Sequence, residues 1–215
     1  MLETIRDVFF EYAALLLLVP LFLASKNFKS YSYQLRTVSL YLLLSAITQA
    51  VSFAFWKAGI NNFPILHIYT VLEYLLLLWF YSQILRGFIG DKAFAALFIV
   101  FPVFSIINSL FVEDIYTYNT YARSIEALIF IFLSISWFVK IVAEDEATRE
   151  QGVAVNYISA GLLIYFAGSI TLFAYNSYIE EMKIVLRTNV WLIHTVLVTQ
   201  LYILIAIGLW KVKAK

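Results

Sequence analysis

No cysteine occurs in the chain, which excludes disulfides, thiolate metal centres, lipid-modified cysteines and thiol redox chemistry. A catalytic nucleophile would have to be Ser, Thr or a carboxylate. Only 3 prolines and 7 glycines are present in 215 residues, so little interrupts long helices. Charge is scarce too, at 13% of residues with a formal net value of +1. No basic block exists that would suit nucleic acid or anchor the chain to anionic lipid, so nucleic acid is not an expected partner.

Apolar residues fill the space that charge leaves. The chain is 63% hydrophobic and 18% aromatic, with a mean hydropathy of +0.86, which is too apolar for a water-soluble domain. Apolar runs near the roughly 20 residues needed to cross a bilayer fall at about Val8–Ala24, Val38–Trp56, Ile65–Leu85, Ala93–Val112, Tyr121–Val142, Asn156–Tyr175 and Val190–Trp210. A helix satisfies its own backbone in lipid, so the expected fold is an all-α integral membrane protein, a bundle of seven transmembrane helices in one domain. The first run is read as a span and not as a signal peptide, because Glu3 and Asp7 precede it while Lys26 and Lys29 follow, the reverse of a basic leader.

Basic residues collect on the cytoplasmic side of membrane proteins. Lys26, Lys29, Arg36, Arg86, Lys92, Lys140, Arg149, Lys211, Lys213 and Lys215 lie on one side of the seven runs, and Arg6, Lys57, Arg123, Lys183 and Arg187 on the other. The N-terminus is therefore expected outside and the C-terminus in the cytoplasm of a cell membrane, plasma or bacterial inner.

The third and seventh runs share a register. Asn62, His67 and Glu73 are spaced five and six residues apart, as are Asn189, His194 and Gln200, and these are the chain's 2 histidines. Glu11 to Lys26 similarly resembles Glu126 to Lys140. The expectation is a parallel pseudo-repeat of three, one and three spans, with repeat A at about 8–85, a connector helix at 93–112 and repeat B at about 121–210, related by an axis along the membrane normal. This layout is similar in architecture to SWEET-type sugar transporters, trimeric cation channels and microbial rhodopsins. Their motifs are missing: no Pro-Gln dipeptide, no glycine-rich channel signature and no lysine in the last run. The chain is assigned to none of them.

Ionisable side chains inside a span are costly and point to function by default. Glu11, His67, Glu73, Arg123, Glu126 and His194 all fall in the outer half of the expected bundle, with Gln200 near mid-depth. At about 1.5 Å of rise per residue, Glu73 lies about 12 Å in and requires a partner from among His67, His194, Arg123 and Gln200. Arg123 and Glu126, three apart, can pair, and Thr70 is spaced to bridge His67 and Glu73. A ligand site built from these residues, with Asn62 and Asn189 at its mouth, describes an outward-open polar cavity on the pseudo-twofold axis. Gly161 and Gly168 suggest a close-packing face on the sixth span.

The expected function is transport or channelling of a small polar solute or cation. One alternative is a seven-helix receptor; with five residues after Trp210, its output would pass through a protein partner on the cytoplasmic loops. Another is an intramembrane enzyme with a metal held by His67, His194, Glu73 and Glu126, or by the histidines alone in a haem. No compact ligand motif supports the enzyme, and no residue pattern fixes a cofactor. The expected partners are the lipid bilayer and a small-molecule or ion ligand.

Overall fold

The computed structural model describes residues 13–143 and 152–212. After a 3-10 segment Ala13–Leu17 come α1 (Leu18–Asn27), α2 (Tyr33–Lys57), α3 (Phe63–Ile84), α4 (Asp91–Phe111), α5 (Thr120–Ala143), α6 (Val153–Ala174), a short α7 (Asn176–Glu181) and α8 (Ile184–Trp210). No strand occurs among the described residues. The protein is an all-helical bundle of the membrane type.

Among the described residues, six helices are long and apolar enough to cross a bilayer: α2 to α6 and α8. The first expected span is represented by a shorter apolar stretch, Leu15–Asn27; the beginning of that span, 8–12, lies outside the described residues. Pro20 helps explain the change from 3-10 to α helix there, since it has no N–H to donate to Leu16 while its fixed φ suits a first helical turn. Helices α2 and α8 begin five and six residues before their expected starts. Hydropathy marks where lipid surrounds a helix, and a helix can run on past the hydrocarbon through polar residues such as Arg187, Thr188 and Asn189.

Each helix of the sequence α1, α2, α3 packs on the next, and so does each of α5, α6, α8. The two sets meet where α3 packs on α5 and where α8 packs on α1, while α4 lies against α3 and α5. The tightest seam joins α6 and α8. A Cβ on Gly161 would come within 3.2 Å of Leu201, and one on Gly168 within 2.7 Å of Leu197, so both glycines form a close-packing face as expected. Gly208 returns the contact, since its Cβ would lie 2.8 Å from the Ala154 carbonyl. Large apolar side chains such as Phe22, Ile99, Leu110, Phe111 and Phe132 are turned outward, which is the surface a bilayer covers.

The upper end of the bundle carries the α2–α3 and α4–α5 connections and α7; the lower end carries the α1–α2 and α3–α4 connections and residues 211–212. At the upper end α2 stops at Gly59, whose φ of +69° lets Ile60 donate back to the Phe55 carbonyl at 2.9 Å, a glycine-dependent helix termination. Asn61 then accepts from the Phe63 N–H and donates to the Tyr116 carbonyl, both at 2.8 Å, which ties the two upper connections together and aims α3 into the bundle.

Candidate functional site

The site is built on α3 and α5. Glu113, in the connection before α5, accepts from the backbone N–H groups of Thr120 at 3.1 Å and Tyr121 at 3.2 Å, and Asn108 donates to it at 2.6 Å. A carboxylate at a helix N-terminus satisfies free amides and the helix dipole together. Capped in this way, α5 directs Arg123 and Glu126 inward from its first two turns.

Arg123 joins two carboxylates. Its Nη1 donates to Glu73 Oε2 and to Glu126 Oε2 at 2.7 Å, and its Nη2 donates to the Tyr165 hydroxyl of α6 at 2.9 Å. Tyr69, one turn before Glu73, donates to Glu73 Oε1 at 3.0 Å and is itself paired with Ser45 of α2 at 3.0 Å. Glu73 is 1% exposed and Glu126 0%. By helix rise, Glu73 stands about 15 Å from the start of α3. Tyr41, Tyr69, Tyr165 and Tyr202, from α2, α3, α6 and α8, all lie close enough to interact with its charge, so Glu73 sits at the centre of the helix set.

The upper side of this triad is roofed by aromatic rings. The Arg123 guanidinium lies 4.8 Å over the Phe173 ring. Tyr118 packs against Phe63, Phe173 and Trp191 at ring separations of 6.4, 6.4 and 6.0 Å. Burial of Tyr118, in the connection before α5, pushes its phenol up to about 12, against the pull of the nearby Arg123. The outward-open cavity expected from the sequence is closed in this structure: the roof covers the triad, and all three side chains are buried. A cavity of about 230 Å³ between α1 and α8, lined by Phe22, Lys26, Tyr31 and Trp210 among others, lies at the lower end and contains none of the expected site residues.

Of those residues, the structure brings together Glu73, Arg123 and Glu126. His194 is next to them but not in contact with a carboxylate; its Nδ1 pairs with Ser169 at 3.1 Å, and its ring packs on Tyr165, Phe173 and Trp191. His67 faces elsewhere, with Nδ1 paired to Ser109 of α4 at 2.7 Å and Nε2 3.0 Å from the Thr117 carbonyl. A carbonyl only accepts, so Nε2 carries a proton and His67 acts as a cross-link. Thr70 does not bridge His67 to Glu73; its hydroxyl returns to the Leu66 carbonyl at 2.9 Å. Asn62 precedes α3 at its cap without a side-chain cap bond, whereas Asn189 lies on α8 and is exposed. Both amide atoms of Gln200 are buried without a hydrogen-bond partner. Glu11 lies outside the described residues.

No group of three or more His, Asp or Glu side chains is placed to hold a metal among the described residues; the expected metal candidates are dispersed, with Arg123 between the two carboxylates. Residues that sequence reasoning passed over include Tyr69, Tyr165, Tyr118, Phe173 and Glu113. Tyr69 had a usable signal, since it lies four residues before Glu73 and thus on its face of the helix. Compared with known protein families, curated proteins and solved structures, the chain matches none.

Proposed function

We propose that the protein moves a small polar solute or cation across a cell membrane, with Glu73, Arg123 and Glu126 as the working site. The observation that carries this reading is an unbalanced buried charge: two carboxylates share one guanidinium, so the fully ionised triad has a formal charge of −1 in a region where lone charge is costly. A purely structural polar core is better served by balanced or neutral pairs. An excess carboxylate enclosed by helices from both halves of the chain suits a site that takes up a positive species and releases it when the halves move.

The helix adjacencies support a repeat. Exchanging α1 with α5, α2 with α6 and α3 with α8 turns the packed pairs among these six helices into one another, as a two-fold relation of 8–85 to 121–210 requires, while α4, packed on α3 and α5, stands outside the relation. The two histidines are not equivalent within it, because His67 pairs with α4 and His194 with α6. In this reading α1 completes a seventh crossing, the upper end faces outside, and the Tyr118 roof is a closed outer gate.

Two experiments test the proposal. Reporter tags at Met1 and Lys215 should report from opposite sides of the membrane, with the C-terminal tag inside; the same side for both would remove the seventh crossing. The purified protein in liposomes on a solid-supported membrane, challenged with steps of Na⁺, K⁺, protons, choline, sugars and amino acids, should give a current or uptake that protein-free liposomes lack. Binding of one of these compounds without movement would overturn transport and favour a receptor.

A further inference from the structure

We infer that Glu126 carries one exchangeable proton on Oε1, so that the species balancing the triad is a proton. This deepens the transport reading and rests on it for its functional meaning. Four carboxylate oxygens meet in the triad. Glu73 Oε1 accepts from Tyr69, Glu73 Oε2 and Glu126 Oε2 both accept from Arg123 Nη1, and Glu126 Oε1 has no partner although it is buried. An ionised carboxylate oxygen sealed from water and left without a donor loses its solvation with nothing in return. Adding H⁺ at that atom forms one O–H bond and takes the formal charge of the triad from −1 to 0.

A metal cation does not suit the same position. Hard cations gather several oxygen ligands, whereas Glu126 Oε1 is a single free oxygen, and no cation-binding cluster exists among the described residues. The titratable and charged groups facing Glu126 are Arg123 on its own helix, Glu73 and Tyr74 on α3, Tyr118 before α5 and Tyr165 on α6. All but Arg123 are acids that become negative on ionising, so none replaces the missing positive charge. Arg123 is committed to both carboxylates, and Tyr165 receives its second Nη. The choice of Glu126 over Glu73 follows from the partners: Glu73 has a donor on each oxygen, and Glu126 on one.

The test is an infrared titration of the full-length protein in lipid nanodiscs, reading the carbonyl stretch of a protonated carboxyl against pH, with a thermal melt to confirm the fold. Wild type should show one such buried band that disappears as pH rises. E126Q and E73Q should both lose it, because either change leaves one carboxylate balanced by Arg123. The Asp variants keep the charge count and assign the proton: E126D should shift the band frequency and E73D should leave it in place. The inference is overturned if wild type shows no band at any pH at which the fold persists, if the band survives in both Gln variants, or if it responds to E73D and not to E126D. The spectrum reports the proton whatever the bundle carries, so its failure would leave transport standing, and a failed flux assay would leave the proton standing.

Discussion

The two ends of the bundle solve the same problem in different ways. At the lower end, polar side chains meet in neutral pairs, Tyr81 with Ser134 at 2.7 Å, Trp137 with Asn156 at 2.9 Å and Gln83 with Thr37 at 3.0 Å, and the buried atoms left without a partner, Gln83 Oε1 and Ser159 Oγ, are neutral. One charged group there, Lys140, donates to the Ile84 carbonyl at 2.6 Å, where a cation meets the negative end of α3. At the upper end neutral pairs such as His67 with Ser109 stand beside a charged triad that is shared among three helices and not in balance. Neutral pairs hold helices together in lipid at modest cost; the upper arrangement costs more and leaves one carboxylate oxygen without a partner. That contrast is the reason to place function at the triad and packing at the lower end.

The comparison breaks most sharply at Arg123. R123M would leave two carboxylates buried side by side, and removing one member of a buried ionic group costs about 3–5 kcal/mol. Unfolding in detergent should show that loss, while the triple change E73L/R123M/E126L, which removes all the charge, should recover most of the stability and abolish any current. At the lower end the largest expected effect is steric. G208V places atoms against the Ala154 backbone carbonyl, 2.8 Å from the first of them, and overpacking of this kind costs about 1–3 kcal/mol. It should lower the melting temperature and leave the carboxyl infrared band unchanged. Smaller still is Y81F, which removes one neutral hydrogen bond to Ser134 worth about 1 kcal/mol; current per folded molecule should equal that of wild type.

Much of the fold was legible because lipid allows few solutions: the six long helices fall where apolar runs of spanning length lie, and the scarcity of proline and glycine leaves them whole. The extent of α1 and the existence of α7 were not, since a short helix near the interface carries no length signal. Within the site, the need of Glu73 for a partner followed from depth alone, and Arg123 was among the partners expected. The shared register of His67 and His194 pointed to a common role that their surroundings do not support, because spacing along a helix fixes a face but not which neighbour meets it. Tyr165 is hidden by abundance: among 15 tyrosines and 19 phenylalanines, most of them suited to lipid and interface, one buried hydroxyl stands out only once its partner Arg123 is seen. Glu113 falls between the apolar runs that end at Val112 and begin at Tyr121, and its capping role depends on how that connection folds back on α5.

The most direct test of the triad as a working site, and not only a structural one, is E73Q measured for stability and transport on the same preparation. The amide keeps the volume and can still accept from Tyr69, and it leaves Arg123 balanced by Glu126 alone. The expected result is a melting temperature equal to or above that of wild type, with the liposome current lost. A current unchanged from wild type in the folded variant would contradict it and return the triad to the role of a buried cross-link.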